Sequence, residues 1–108
     1  MITPRNPPGR AYLSGNDILF KVSREEFKIP VPKLIRVIRH QYNETLLSES
    51  GRPAGIVSWN DEDTLQVSIR NSLYVVDIDD IRAVISQRQT AAPLAETEPG
   101  QRILFGVC

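Results

Sequence analysis

Thr64-Leu65-Gln66-Val67-Ser68-Ile69-Arg70-Asn71-Ser72-Leu73-Tyr74-Val75-Val76-Asp77-Ile78 reads as a β-hairpin. Leu65, Val67 and Ile69 alternate with Gln66, Ser68 and Arg70, the two-residue period of a strand with one dry face and one wet one. Arg70-Asn71-Ser72 reads as a tight turn, with Asn71 the residue able to take a positive φ at little cost. Tyr74, Val76 and Ile78 then return as the partner strand.

Moved back by 47 residues, the same pattern lies in Asp17–His40. Ile18, Phe20 and Val22 stand where Leu65, Val67 and Ile69 stand, and Phe27, Ile29 and Val31 match Tyr74, Val76 and Ile78. The correspondence runs on without a gap through Leu34, Val37 and Ile38 against Ile81, Val84 and Ile85. Upstream, Gly9-Arg10 and Tyr12-Leu13-Ser14 set beside Gly51-Arg52 and Ile56-Val57-Ser58 extend it, with further strands expected near Ala11–Ser14 and Gly55–Trp59. A match of this length points to a tandem duplication of a β-meander unit, with repeats over about 11–42 and 53–88. The expected fold is mainly β, a small antiparallel barrel or roll with at most two short helices; the alternative is α+β, one helix after each hairpin.

The segments after the hairpins support both readings. Ile81, Val84 and Ile85 have helical spacing behind Asp79 and Asp80, acids suited to a helix start. Ile81, Ala83 and Ile85 also alternate, so a turn followed by a strand fits 79–88 as well, and this reading is favoured there. Leu34, Val37, Ile38 and Tyr42 fit one helix face, with Pro32 in the first turn; over 32–43 the choice stays open.

Outside the core region, residues 1–10 read as an extended arm with Pro4, Pro7 and Pro8, and residues 89–102 as a linker. Residues 103–108 hold the apolar run Ile103-Leu104-Phe105-Gly106-Val107, expected to dock as a strand in cis or in trans. Docking in trans, the favoured reading, would make a homodimer. Leu104, Phe105 and Trp59 are the candidate contact residues.

The 108 residues fit one domain, and their formal net charge is zero. Met1–Leu47 carries eight cations against four anions, and Ser48–Cys108 five against nine, a split able to orient one half or one subunit on another. No apolar run approaches the roughly 18 residues of a membrane helix, and the opening residues lack a signal peptide's apolar stretch. The single cysteine, Cys108, makes no internal disulfide, so a cytoplasmic location is expected.

Chemistry-bearing residues are sparse. One histidine, His40, rules out a multi-histidine metal site within one chain. Lys33, Arg36, Arg39 and His40 form a basic stretch that could hold an anion or nucleic acid, although the balanced charge makes nucleic acid an unfavoured partner. Asp61, Glu62 and Asp63 lie in an expected turn without calcium-loop spacing. Asp77, Asp79 and His40 are the residues an acid–base enzyme would have to use; the favoured reading of the aspartates is a helix start. No catalytic residue, metal site or cofactor is assigned. The expected role is a non-catalytic protein-interaction or self-assembly module.

Gly51-Arg52-Pro53-Ala54-Gly55-Ile56-Val57, followed by Tyr74-Val75-Val76-Asp77-Ile78-Asp79-Asp80-Ile81-Arg82-Ala83-Val84-Ile85, resembles the PRC-barrel family over about a third of the chain. That family opens a strand with Gly-x-x-x-Gly-x-Val and later carries Tyr-x-Val-Pro-x-x-x-Ile-x-x-Ile; Asp77 stands at its usual proline. Phe27–Ile38 is similar to one strand and turn of the chemotaxis coupling-protein barrels. Both resemblances imply a small barrel used for binding, and neither transfers a site residue.

Overall fold

The alternating segments pair with their neighbours in chain order until the sheet meets itself. The structure, a computed structural model, describes residues 8–97. Its elements are β1 (Gly9–Ser14), β2 (Asp17–Val22), β3 (Glu25–Pro30), α1 (Val31–His40), β4 (Asn43–Ser48), β5 (Pro53–Trp59), β6 (Thr64–Ile69), β7 (Ser72–Asp77), α2 (Ile78–Ile85) and β8 (Ala92–Thr97). The eight strands form a closed antiparallel barrel, β8 returning to pair with β1. Closure matters because an open sheet would leave unpaired backbone groups on its edges.

Alternating residues of β2, β3, β6 and β7 enter one core. Ile18 and Phe20 of β2, Ile29 of β3, Leu65 and Val67 of β6 and Val76 of β7 are buried, and Leu34, Val37, Ile81 and Val84 close it from the helices. No buried polar or charged residue interrupts it among the described residues. Phe20 and Phe27 fall on the buried face expected for them.

The order β-β-β-α-β occurs twice, and its registers correspond. Phe20 faces Phe27 and Val67 faces Tyr74; Val31 N–H donates to the Asn16 carbonyl and Ile78 N–H to the Asp63 carbonyl. Since β3 and β7 run the same way, both helices lie at one end of the barrel. The left-handed residue of each hairpin turn also corresponds: Ser23 (φ 57°) and Arg70 (φ 56°). The positive φ therefore falls on Arg70, one residue before the expected Asn71.

Several sequence expectations are corrected. Residues 78–85 are helix, not turn plus strand, because Ile78, Ile81 and Val84 are buried together and Asp77 caps the first turn. Residues 31–40 are helix too, but Tyr42 is not on its face: Gln41 turns left-handed (φ 58°) and leaves Tyr42 53% exposed. The expected linker 89–102 contains β8, whose Ala92 and Leu94 are buried. Each unit also has a fourth strand that the ranges 11–42 and 53–88 omit, β4 in the first and β8 in the second. Gly9 corresponds to Gly55 rather than Gly51, since Gly9 faces Val22 and Leu94 while Gly55 faces Ile69 and Leu46. Of the expected arm 1–10, Gly9 and Arg10 belong to β1 and residues 1–7 lie outside the described residues.

The two helices start differently from equivalent positions. Pro30 precedes α1 at φ −60° with no side-chain cap, whereas Asp77 precedes α2 at φ −71° and its carboxylate accepts the Asp79 N–H at 2.8 Å. Proline meets the requirement by fixing φ, aspartate by satisfying an orphan donor. Asp77→Ala is expected to cost about 1 kcal/mol, read as a lower urea midpoint with an unchanged slope.

Candidate functional site

The helix-bearing end carries the most distinctive concavity. α1 buries Leu34 and Val37 against the barrel, and α2 buries Ile78, Ile81 and Val84. Helical spacing then leaves Ile35 and Ile38 of α1 and Ile85 of α2 half-buried on the sides the helices turn toward each other. These three isoleucines and the exposed Arg39 and Arg82 line a groove of about 270 Å³. Ile35 corresponds to Arg82, and Ile38 to Ile85, so the groove lies where the two units face one another. No carboxylate is among its lining residues.

The basic stretch divides on α1. Arg39 reaches the groove, while Arg36 pairs with Glu44 of β4 at 3.8 Å. Lys33 is exposed on the same helix, and the His40 ring lies against Tyr42 with centroids 5.7 Å apart. Thus the structure brings Lys33, Arg36, Arg39 and His40 onto one helix, and one of them lines the groove. Arg82, Ile35 and Ile85 are site residues that the sequence reading misses; their signal is the helical spacing of two segments that have to be set side by side in space.

Trp59 does not stand free. It pairs with Leu65 of β6 and packs, half-buried, against the core. Leu104 and Phe105 lie outside the described residues.

The acidic candidates have local structural partners. Asp61 Oδ1 accepts the Asp63 N–H at 2.8 Å, the Thr64 N–H at 2.9 Å and the Thr64 hydroxyl at 2.9 Å. Those donors, the Asp63 amide foremost, hold the Asp61 carboxyl below its ordinary pKa. Asp77 is occupied as the α2 cap. Asp61, Asp77, Asp79 and His40 are absent from the linings of the described cavities. No group of three or more metal-ligating side chains occurs among the described residues. No described helix is long and apolar enough to cross a membrane.

One titration is shaped by the barrel wall. Tyr12 of β1 reaches across β2 and donates its hydroxyl to Glu26 of β3. That hydrogen bond, then desolvation, then the Glu26 charge raise the phenol above its ordinary 10.0. A raised folded pKa means the contribution to stability is complete below the unfolded pKa and is lost as pH rises through the folded one. In an absorbance titration of phenolate, the transition removed by Tyr12→Phe is expected above the ordinary value, and Glu26→Gln should bring it down. A Tyr12 transition at the ordinary value would show that the bond does not hold in solution.

Searches of protein-family models, curated proteins and solved structures find no match to this chain. The functional reading therefore rests on the groove and the surfaces around it.

Proposed function

We propose that the chain is a non-catalytic protein-interaction module that uses the groove between α1 and α2. One observation carries this reading: an aliphatic floor of Ile35, Ile38 and Ile85 beneath two arginines, one from each helix, with no lining carboxylate. A floor of that kind gains by covering a bulky apolar side chain. Arg39 and Arg82 add paired, charge-assisted hydrogen bonds to carboxylates and repel cations. The fitting partner is an acidic peptide segment bearing a Leu, Ile or Phe.

The test is a displayed library of random peptides selected on the full chain. Enriched peptides are expected to combine acidic with large apolar residues, and to bind at least tenfold more weakly to Arg39→Glu, Arg82→Glu and Ile38→Asp. Enrichment of basic peptides, or binding indifferent to these three changes, would sink the reading. Nucleic acid is the competing occupant of the same basic helix. A single-stranded oligonucleotide is expected to show no retardation at low salt; binding that falls steeply with salt and disappears in Arg39→Glu would put nucleic acid in the peptide's place. An acid–base enzyme using Asp77, Asp79 and His40 has less support, since Asp77 is a cap and His40 packs on Tyr42.

The recurring registers also support descent of the two units from one duplicated β-β-β-α-β segment. A chain encoding residues 53–97 twice, joined by the native 49–52 turn, tests this: a folded barrel supports interchangeable units, and an unfolded chain counts against them. A lone cysteine fits a reducing compartment such as the cytoplasm.

A further inference from the structure

The outside of the barrel is divided by charge, and the division follows the two units. On β1, β2 and β3 the outward cross-strand row is Arg10, Lys21, Glu26. The corresponding row on β5, β6 and β7 is Ile56, Ser68, Leu73, continuing to Thr45 on β4. Ile56 is 48% exposed, one of two large apolar side chains exposed to that degree among the described residues. The next row out adds Val75 and Ala95, both half-buried and uncharged. Equivalent positions thus carry ions in one unit and none in the other, although both rows cover the same kind of core.

The chain beyond β8 supplies the occupant. Ile103-Leu104-Phe105-Gly106-Val107 follows Thr97 after a spacer of five residues, 98–102. The expectation that it docks as an added strand meets an obstacle: the described sheet is closed, β8 pairing with β1 along Ala92–Leu94 and with β7 along Leu94–Thr97, so no whole strand is left as an edge. An apolar segment with no whole edge strand to join is best covered by an uncharged face. Thr97 is directly opposite Leu73, and Ile56 is three strands away, about 14 Å at the usual strand spacing. Five extended residues span up to about 17 Å, enough for the spacer 98–102 to bring Ile103 over Ile56. The charged face lies on the other unit, where burying Arg10, Lys21 and Glu26 would cost desolvation.

We infer that Ile103–Val107 packs in cis on the uncharged outer face of β5, β6 and β7, with Leu104 and Phe105 against Ile56 and Leu73. The experiment is a disulfide trap in the full chain carrying Cys108→Ser. Ile56→Cys with Leu104→Cys is expected to give a faster-migrating, intramolecularly linked monomer with oxidised glutathione, and Lys21→Cys with Leu104→Cys to give little. Linked dimers as the main product, or equal linkage from both pairs, would overturn the inference. Hydrogen exchange provides the second readout, in the unmodified chain and in Ile56→Arg. The 103–107 amides should be protected in the first and at least tenfold less protected in the second, with β2 and β6 unchanged. Unprotected 103–107 amides in the unmodified chain, or protection untouched by Ile56→Arg, would also overturn it. None of these substitutions touches the helix groove, so either reading can fail alone.

Discussion

Truncating Phe20 to alanine is expected to destabilise the barrel by about 3–5 kcal/mol, the range for removing a fully buried aromatic ring. Phe20 is 0% exposed and lies between Ala11 of β1 and Phe27 of β3. A domain of this size holds a total of about 5–15 kcal/mol, so the variant loses a large share of it. Urea unfolding followed by circular dichroism and by Trp59 fluorescence measures the loss; a change below about 1 kcal/mol would mean that the row is not packed as described. The corresponding row of the second unit supplies a control. There Val57, Val67 and Tyr74 stand where Ala11, Phe20 and Phe27 stand, so the bulk that Phe20 concentrates on β2 is divided between β5 and β6. Phe20→Val leaves a void beside Ala11, and adding Ala11→Val fills it. The double variant is therefore expected to be more stable than Phe20→Val alone, as volume-conserving changes are tolerated best.

Gly55→Ala, together with Gly9→Ala, is expected to be the most damaging glycine-to-alanine change among the described residues. A Cβ at Gly55 would lie 2.5 Å from the Ser68 carbonyl oxygen, and one at Gly9 would lie 2.6 Å from the Lys21 carbonyl oxygen. Neither neighbour is a side-chain tip that can swing aside; each is the backbone of the next strand. The Leu46 and Leu94 side chains crowd the same two positions from β4 and β8. Overpacking of this kind costs about 1–3 kcal/mol or more, and the two sites stand on strands four apart in the barrel, so their costs are expected to add. Gly15 and Gly51 give the contrast: a Cβ at either would meet open space, but both take positive φ, 62° and 86°. Alanine there carries a backbone penalty of about 1–2 kcal/mol with no clash. Midpoints from the four single variants should place Gly55 and Gly9 below the other two. The reverse order would mean that the strands can separate at these points.

The strands that bury three alternating apolar residues were legible in the sequence. Leu65, Val67 and Ile69, and Ile18, Phe20 and Val22, mark their period without help from elsewhere in the fold. β8 was hidden because Pro93 interrupts it and only Ala92 and Leu94 point inward. Proline is tolerated there because the β8 ladder with β7 begins at Leu94, leaving Pro93 a partner on β1 alone. α2 was ambiguous because Ile81, Ala83 and Ile85 satisfy both periods; Ile78, one turn earlier, breaks the tie only once it is taken from the strand and given to the helix. The groove was legible least of all. Its residues lie on segments 47 apart, and nothing local in Ile35 or Arg82 says that the barrel will set them together. The neutral outer face was equally hidden, since a zero net charge conceals which wall carries the ions.

Closure has a cost in time. The β2–β3 and β6–β7 ladders each join six residue pairs across short turns, so each can form from nearby chain. The β1–β8 ladder joins only three pairs, linking residues 9–11 with residues 92–94. It therefore draws together almost the whole described chain for a small return, and contacts of that separation slow folding most. The hairpins and helices can assemble before this ladder does, and its few pairs make it a weak point of the closed sheet. During that interval β1 and β8 are bare edges. The protection that the finished barrel provides is thus absent while it is being made, and this closing ladder sets how long a newly made chain remains adhesive.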